Sequence, residues 1–312
     1  MNLGLTIALG GAAIVGVLLA TRAGSAAETP EPQPPGPQPP GPQPPGPEPV
    51  QPPEPVPPLG LVAGEILQTV GKHWILTNKI ASGAKAANYG WHFKGSTFGG
   101  SKFEATVSLP GVRVIQGIGT AHDRFHTDYS QTCVLASQAC VYQGQDRLLS
   151  DLLTDPIASK LLSVEGPLQI TRQPGVTQLE PMVLTPSVGV TRADVAALSS
   201  LPIASREATI LSWVEQGFAE YAWADITVGD LTFHVFTDAL QFGGVRINAS
   251  ATLMQQIADR MSCSLLTARM ADLVFEAASK VILPFPMTAG PQMSSIAYML
   301  AESDKITAAS AG

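Results

Sequence analysis

DLTFHVFTDALQFGGVRIN, residues 230–248, alternates apolar and polar side chains, reaches a Gly-Gly pair, and resumes. Period-two alternation reads as half-buried strand, and the glycine pair gives the stretch the look of a hairpin. The period then changes. In ATLMQQIADRMSC (251–263) and LTARMADLVFEAASKV (266–281), Leu253, Ile257 and Met261, then Met270 and Val274, recur at helical spacing. These stripes read as core faces, and Pro284-Phe285-Pro286 ends the second helix. A strand pattern running into amphipathic helices predicts an α+β fold, with a mixed or antiparallel sheet packed against those helices.

Working outward, residues 60–183 read as strand-rich. HWILTNKI, FEATVSL, VRVIQGI, TCVLA, ACVYQG and LQITRQPG are strand-like, and RLLSDLLTDPIASKLLS is a helical insert interrupted at Asp155-Pro156. Residues 184–306 are helix-rich. Thr191 caps RADVAALSSL before Pro202, and Ser205 caps REATILSWVEQ before Gly217. The first half lacks helices to cover its strands, so 60–306 reads as one globular domain of two interdependent halves.

The first 59 residues are of another kind. Residues 3–20, LGLTIALGGAAIVGVLLA, carry no charge. As a helix they span about 27 Å, against a hydrocarbon core of about 30 Å. Small residues at 23–27 suit signal-peptidase cleavage, so residues 1–27 read as a membrane anchor or a signal segment. Residues 28–59 form a proline-rich stalk in which QPPGP recurs at 33–37, 38–42 and 43–47. Dense proline imposes polyproline II, which over this length reaches roughly 90 Å. The arrangement predicts a globular domain held outside the cytoplasm.

Composition narrows the partners. Net charge is −7 and charged residues are 14% of the 312. No Lys/Arg cluster appears, which argues against nucleic acid. Cys133, Cys140 and Cys263 lack CxxC pairing. If TCVLASQACVYQG turns near Ala136-Ser137, Cys133 and Cys140 face each other and can form a cross-strand disulfide; otherwise they are small buried core residues.

Three of the five histidines fall in NYGWHF, with His92, and GTAHDRFHTDYSQ, with His122 and His126. Two chemistries fit these segments. In one, His92, His122 and Asp128 bind Zn²⁺ and leave a position for water, with His126 in reserve. On a strand, His122, His126 and Asp128 would share a face. In the other, Ser130 is a nucleophile, a histidine is its base, Asp128 or Asp123 orients that base, and Tyr129 lies beside them. No GxSxG elbow surrounds Ser130. The same residues also suit a buried hydrogen-bond network that only holds loops together. His73 and His234 read as structural strand residues, and Cys133 as core rather than nucleophile.

Two blocks of the chain resemble an uncharacterised bacterial and phage family of secreted proteins. KHWILTNKI, NYGWHF and H-x5-DYSQ, with Lys72, Trp91, His92, His122, Asp128, Tyr129 and Ser130, are similar to that family's YGWH and H-x5-DYSH motifs. TLMQQIADRMSCSLLTARMADLVFEAASKVILPFP is similar to a second family segment. Gln131 stands where the family has histidine, and the block order is reversed, which implies a circular permutation. The resemblance implies a site at these residues and names no reaction. Two functional classes follow. One is an envelope hydrolase, a peptidase or amidase acting on peptidoglycan or another surface polymer. The other is a non-catalytic surface or virion binding module whose His/Asp/Tyr/Ser cluster is structural.

Overall fold

Short runs of β-branched and aromatic residues, broken by glycine and proline, give short antiparallel strands. The computed structural model describes residues 65–67, 71–83, 85–94, 105–106 and 112–311. The expected anchor and stalk lie outside them. Among the described residues, no helix is long and apolar enough to cross a membrane.

In chain order, β1 (Lys72–Ile75), β2 (Ala87–Lys94), β3 (Ala105–Thr106) and β4 (Val112–Gly119) make an antiparallel sheet ordered β1-β2-β4-β3. Then come β5 (Leu135–Tyr142), β6 (Gln145–Leu148), α1 (Leu149–Thr154), α2 (Ser159–Leu162), α3 (Arg192–Ala197) and α4 (Ile203–Glu215). They are followed by β7 (Trp223–Val228), β8 (Leu231–Phe236), β9 (Gln241–Phe242), β10 (Val245–Arg246), α5 (Ala251–Arg260), β11 (Cys263–Leu265), α6 (Ala268–Ala277) and α7 (Ile296–Ser310).

A second antiparallel sheet is ordered β11-β5-β8-β7. Its centre is β5. One edge of β5 pairs with β8; its other edge pairs with β11 at residues 135–137 and with β6 at residues 139–142. Strands from both sides of residue 183 therefore share one sheet. The sheets meet where β1 runs beside residues 130–132 and then Leu266, through parallel bridges Lys72↔Gln131 and Ile75↔Leu266. The α+β reading holds. Leu253, Ile257, Met261, Met270 and Val274 are all buried in one core with Trp74, Phe233 and Phe242, as their spacing predicts.

Local signals explain many boundaries. Thr191 caps α3 in a full capping box with Asp194. Ser250 and Thr267 cap α5 and α6 by accepting from Leu253 N and Met270 N. The helical insert breaks at Asp155, whose carboxylate takes the freed Ile157 and Ala158 amides.

Three expectations are corrected. TCVLASQACVYQG does not turn at Ala136-Ser137. Residues 135–142 are one strand, and the turn falls at Gln143-Gly144, with φ of 53° and 73°. LQITRQPG is not a strand. Ser205 lies inside α4, which starts at Ile203 after Pro202, whose fixed φ of −57° already suits a helix entry. NYGWHF falls in strand β2, which places His92 in the first sheet.

Candidate functional site

Gly71 and Lys72 anchor the site. Lys72 N donates to Ser130 O at 2.6 Å and Lys72 O accepts from Thr132 N at 3.0 Å, so the DYSQ turn is fastened along β1. The turn also closes on itself. Asp128 Oδ1 accepts from Ser130 N at 2.8 Å and from the Ser130 hydroxyl. Asp128 N donates to Gln131 Oε1 at 3.0 Å. This is the local side-chain-to-backbone chemistry that favours Asp and Ser in turns. Lys72 Nζ meets Asp128 Oδ2 at 3.0 Å, with both side chains buried. His126 Nε2 is 3.8 Å from the same oxygen, too far for a hydrogen bond. Burial opposes a charge on Asp128, but His126, Lys72 and Ser130 outweigh it and hold the carboxyl well below its ordinary value. Asp128 is a buried carboxylate.

His92 is held elsewhere. Its Nε2 lies 3.0 Å from Asp272 Oδ1, and Tyr89 Oη donates to the same oxygen at 2.6 Å. The ring stacks on Phe275, with centroids 5.2 Å apart. Asp272 and Phe275 belong to α6, so the NYGWHF segment and the helix at 268–277 meet at this contact.

His122 and His126 are partly exposed. Their rings stack at 3.8 Å with 11° between planes, and both stand edge-on to buried Trp74 at 6.3 and 6.4 Å. Burial, then the charges of His126 and Lys72, lower the His122 pKa, which favours a neutral imidazole. Residues 120–134 form turns and irregular chain rather than a strand. The shared face expected of His122, His126 and Asp128 does not arise from strand alternation.

Tyr129 is buried between segments. Its N donates to Met293 O, and its hydroxyl accepts from Met287 N, both at 2.7 Å. Burial raises its phenol to about 12. Ser130 is fully buried, with its hydroxyl on Asp128. No histidine is bonded to it. The serine–histidine arrangement expected from the sequence is absent among the described contacts.

The zinc triad is corrected as well. His92 is committed to Asp272, and Asp128 to Lys72 and Ser130. Among the described residues, no group of three His, Cys, Asp or Glu side chains is placed to hold a metal ion. The residues present do not fit the cofactor. Cys133, Cys140 and Cys263 are free, buried thiols, so of the two sequence readings the small buried core residue holds and the disulfide is not formed. In the continuous strand, Cys140 instead bonds Arg147 O on β6.

Sequence reasoning missed Glu302 and Asn248. Glu302 is buried on the apolar face of α7 with Met299 and Ile306. A lone carboxylate on a stripe at i, i+3, i+7 was a readable signal. Burial and the Asp128 charge raise its pKa well above the ordinary value, against Lys72, Lys305 and Arg246. Asn248 lies beside Gln131, where Thr132 pairs with Asn248 and Ala249 N donates to Gln131 O. No protein-family model matches the chain, and no curated protein or solved structure is significantly similar to it.

Proposed function

We propose that the globular region is a non-catalytic binding module, carried outside the cytoplasm by the N-terminal segment and stalk, and that its His/Asp/Tyr/Ser cluster is structural. One observation carries this reading: the groups a hydrolase would need free are spent inside the fold. Asp128 neutralises Lys72 and closes its own turn, Ser130 points its hydroxyl at Asp128, and His92 bonds Asp272. Buried ion pairs and hydrogen bonds of this kind fix loops. The sequence placement supplies the partner class, a polymer of the cell envelope.

The test is co-sedimentation of the full chain, in detergent, with cell-wall sacculi. Retention without release of soluble fragments is the expected result. Fragment release that disappears in a folded Asp128→Asn protein would overturn the reading. A second reading keeps the hydrolase and moves it to the surface. His122 and His126 form a partly exposed imidazole pair with a carboxylate behind His126, the makings of a general base. In that case fragment release depends on His126 and survives in His92→Gln.

A further inference from the structure

Around the DYSQ turn, polar atoms accumulate that find no partner in the protein. Gln131 Nε2, Trp91 Nε1, both polar atoms of the Asn248 side chain, and Glu302 Oε1 are buried without a hydrogen bond. Native interiors leave few such atoms, and each costs free energy unless something else bonds it.

The segments that carry these atoms touch one another. Asn248 adjoins Gln131 through the Thr132 pairing, and its backbone N–H donates to Met299 Sδ at 3.5 Å. Glu302 follows Met299 by one turn of α7 and feels the charges of Lys72 and Asp128. Lys72 Nζ lies 4.9 Å over the Trp91 ring, and that ring leans on Tyr129 at 6.5 Å. Trp91 is half-buried and sits at φ 58°, a left-handed conformation rare for a bulky residue. Gly71 O holds it there by accepting from Trp91 N at 3.1 Å, beside the register shift between Asn88 and Gly90. Such strain collects at ligand sites, where the surrounding structure over-determines it.

The unmatched set has a definite chemistry. Trp91, Gln131 and Asn248 supply three N–H donors that want acceptors. Asn248 Oδ1 and Glu302 Oε1 are acceptors that want donors. We propose that this cluster binds a small ligand through an N-acylamino group, whose carbonyl oxygen accepts two bonds while its N–H donates one. An aromatic ring with a few convergent polar groups is the usual form of a small-molecule site. N-acetylated amino sugars and acylated amino acids both present this group. The inference deepens the binding reading above by naming what part of an envelope polymer is held.

Calorimetric titration of the full chain in detergent with N-acetylglucosamine, and separately with N-acetyl-D-alanine, tests it. Saturable binding of one probe is expected and identifies sugar or peptide as the source. Asn248→Leu should weaken that binding at least tenfold while leaving the melting temperature without probe unchanged or higher, because it removes unmatched polar atoms. Trp91→Phe keeps the ring and loses the donor, and should weaken binding several-fold. Neither probe binding saturably to a cooperatively melting chain would overturn the proposal, as would unchanged affinity in both variants. So would a lowered melting temperature in probe-free Asn248→Leu, which marks a cluster bridged by water only. Sacculi retained without probe binding would sink this inference alone. Probe binding without retention of sacculi would sink the envelope reading and leave the site standing.

Discussion

Asp128 and Lys72 decide what a single substitution does. Breaking a buried ion pair from one side leaves an uncompensated charge and costs about 3–5 kcal/mol. Asp128→Asn should lose that much in urea unfolding, and Lys72→Met combined with Asp128→Asn should recover most of it. Equal losses in the single and double variants would show that Lys72 is relieved by another partner. His73 sets the acid limb of stability. It is fully buried, and burial, helped by His92, lowers its pKa from 6.5 to about 3 against the bond to Thr132 O. The unfolded chain then takes up a proton that the folded one refuses. Stability is therefore complete above pH 6.5 and is lost as pH falls from 6.5 toward 3. Glu302 acts in the opposite direction. Its raised pKa gives stability that is present below pH 4.5 and lost as pH rises through the folded value. Urea melts across pH should show the acid loss shrink in His73→Leu and the loss at higher pH shrink in Glu302→Gln. The DYSQ residues were legible as a cluster because donors and acceptors crowd one short segment. Their roles were not, because Asp272 and Lys72, which occupy His92 and Asp128, lie far away in sequence.

At the scale of elements, two hairpin turns separate a required glycine, Gly243 between β9 and β10, from a tolerated one, Gly144 between β5 and β6. Gly243 has φ 54°, and a Cβ there would sit 2.4 Å from Thr191 C, at the cap of α3. Gly144 has φ 73° with nothing within 4 Å. Gly243→Ala should cost several kcal/mol, since backbone must move, and Gly144→Ala about 1 kcal/mol from conformation alone. Thermal melts of the two variants check this, and equal effects would refute it. The cysteines give a chemical count. Burial pushes the Cys140 thiol up to about 11 and raises Cys133 and Cys263 further, so native protein should leave all three unreacted with a thiol reagent. After denaturation without reductant, all three should react; one reactive thiol would restore the disulfide. Helices announced themselves because periodicity is local, as in α5 and α6, and because a cap can be read at one residue, as at Thr191 though not at Ser205. The turn inside residues 132–144 was misplaced because Ala136-Ser137 resembles punctuation, while Gln143 carries no sign that it will adopt a positive φ.

For the whole molecule, the sharing of one sheet across residue 183 forbids independent halves. Fragments 60–183 and 184–312, expressed singly, should show no cooperative melt, while 60–312 should melt as one transition; two stable fragments would contradict the sheet order. The same topology dictates a timetable of synthesis. Gln138 on β5 waits for Cys263, 125 residues later, before its edge is covered. At 5–20 residues per second the nascent chain carries that open, apolar strand for on the order of ten seconds. A ribosome stalled between β8 and β11 therefore displays residues 135–137 of the central strand with one edge unpaired.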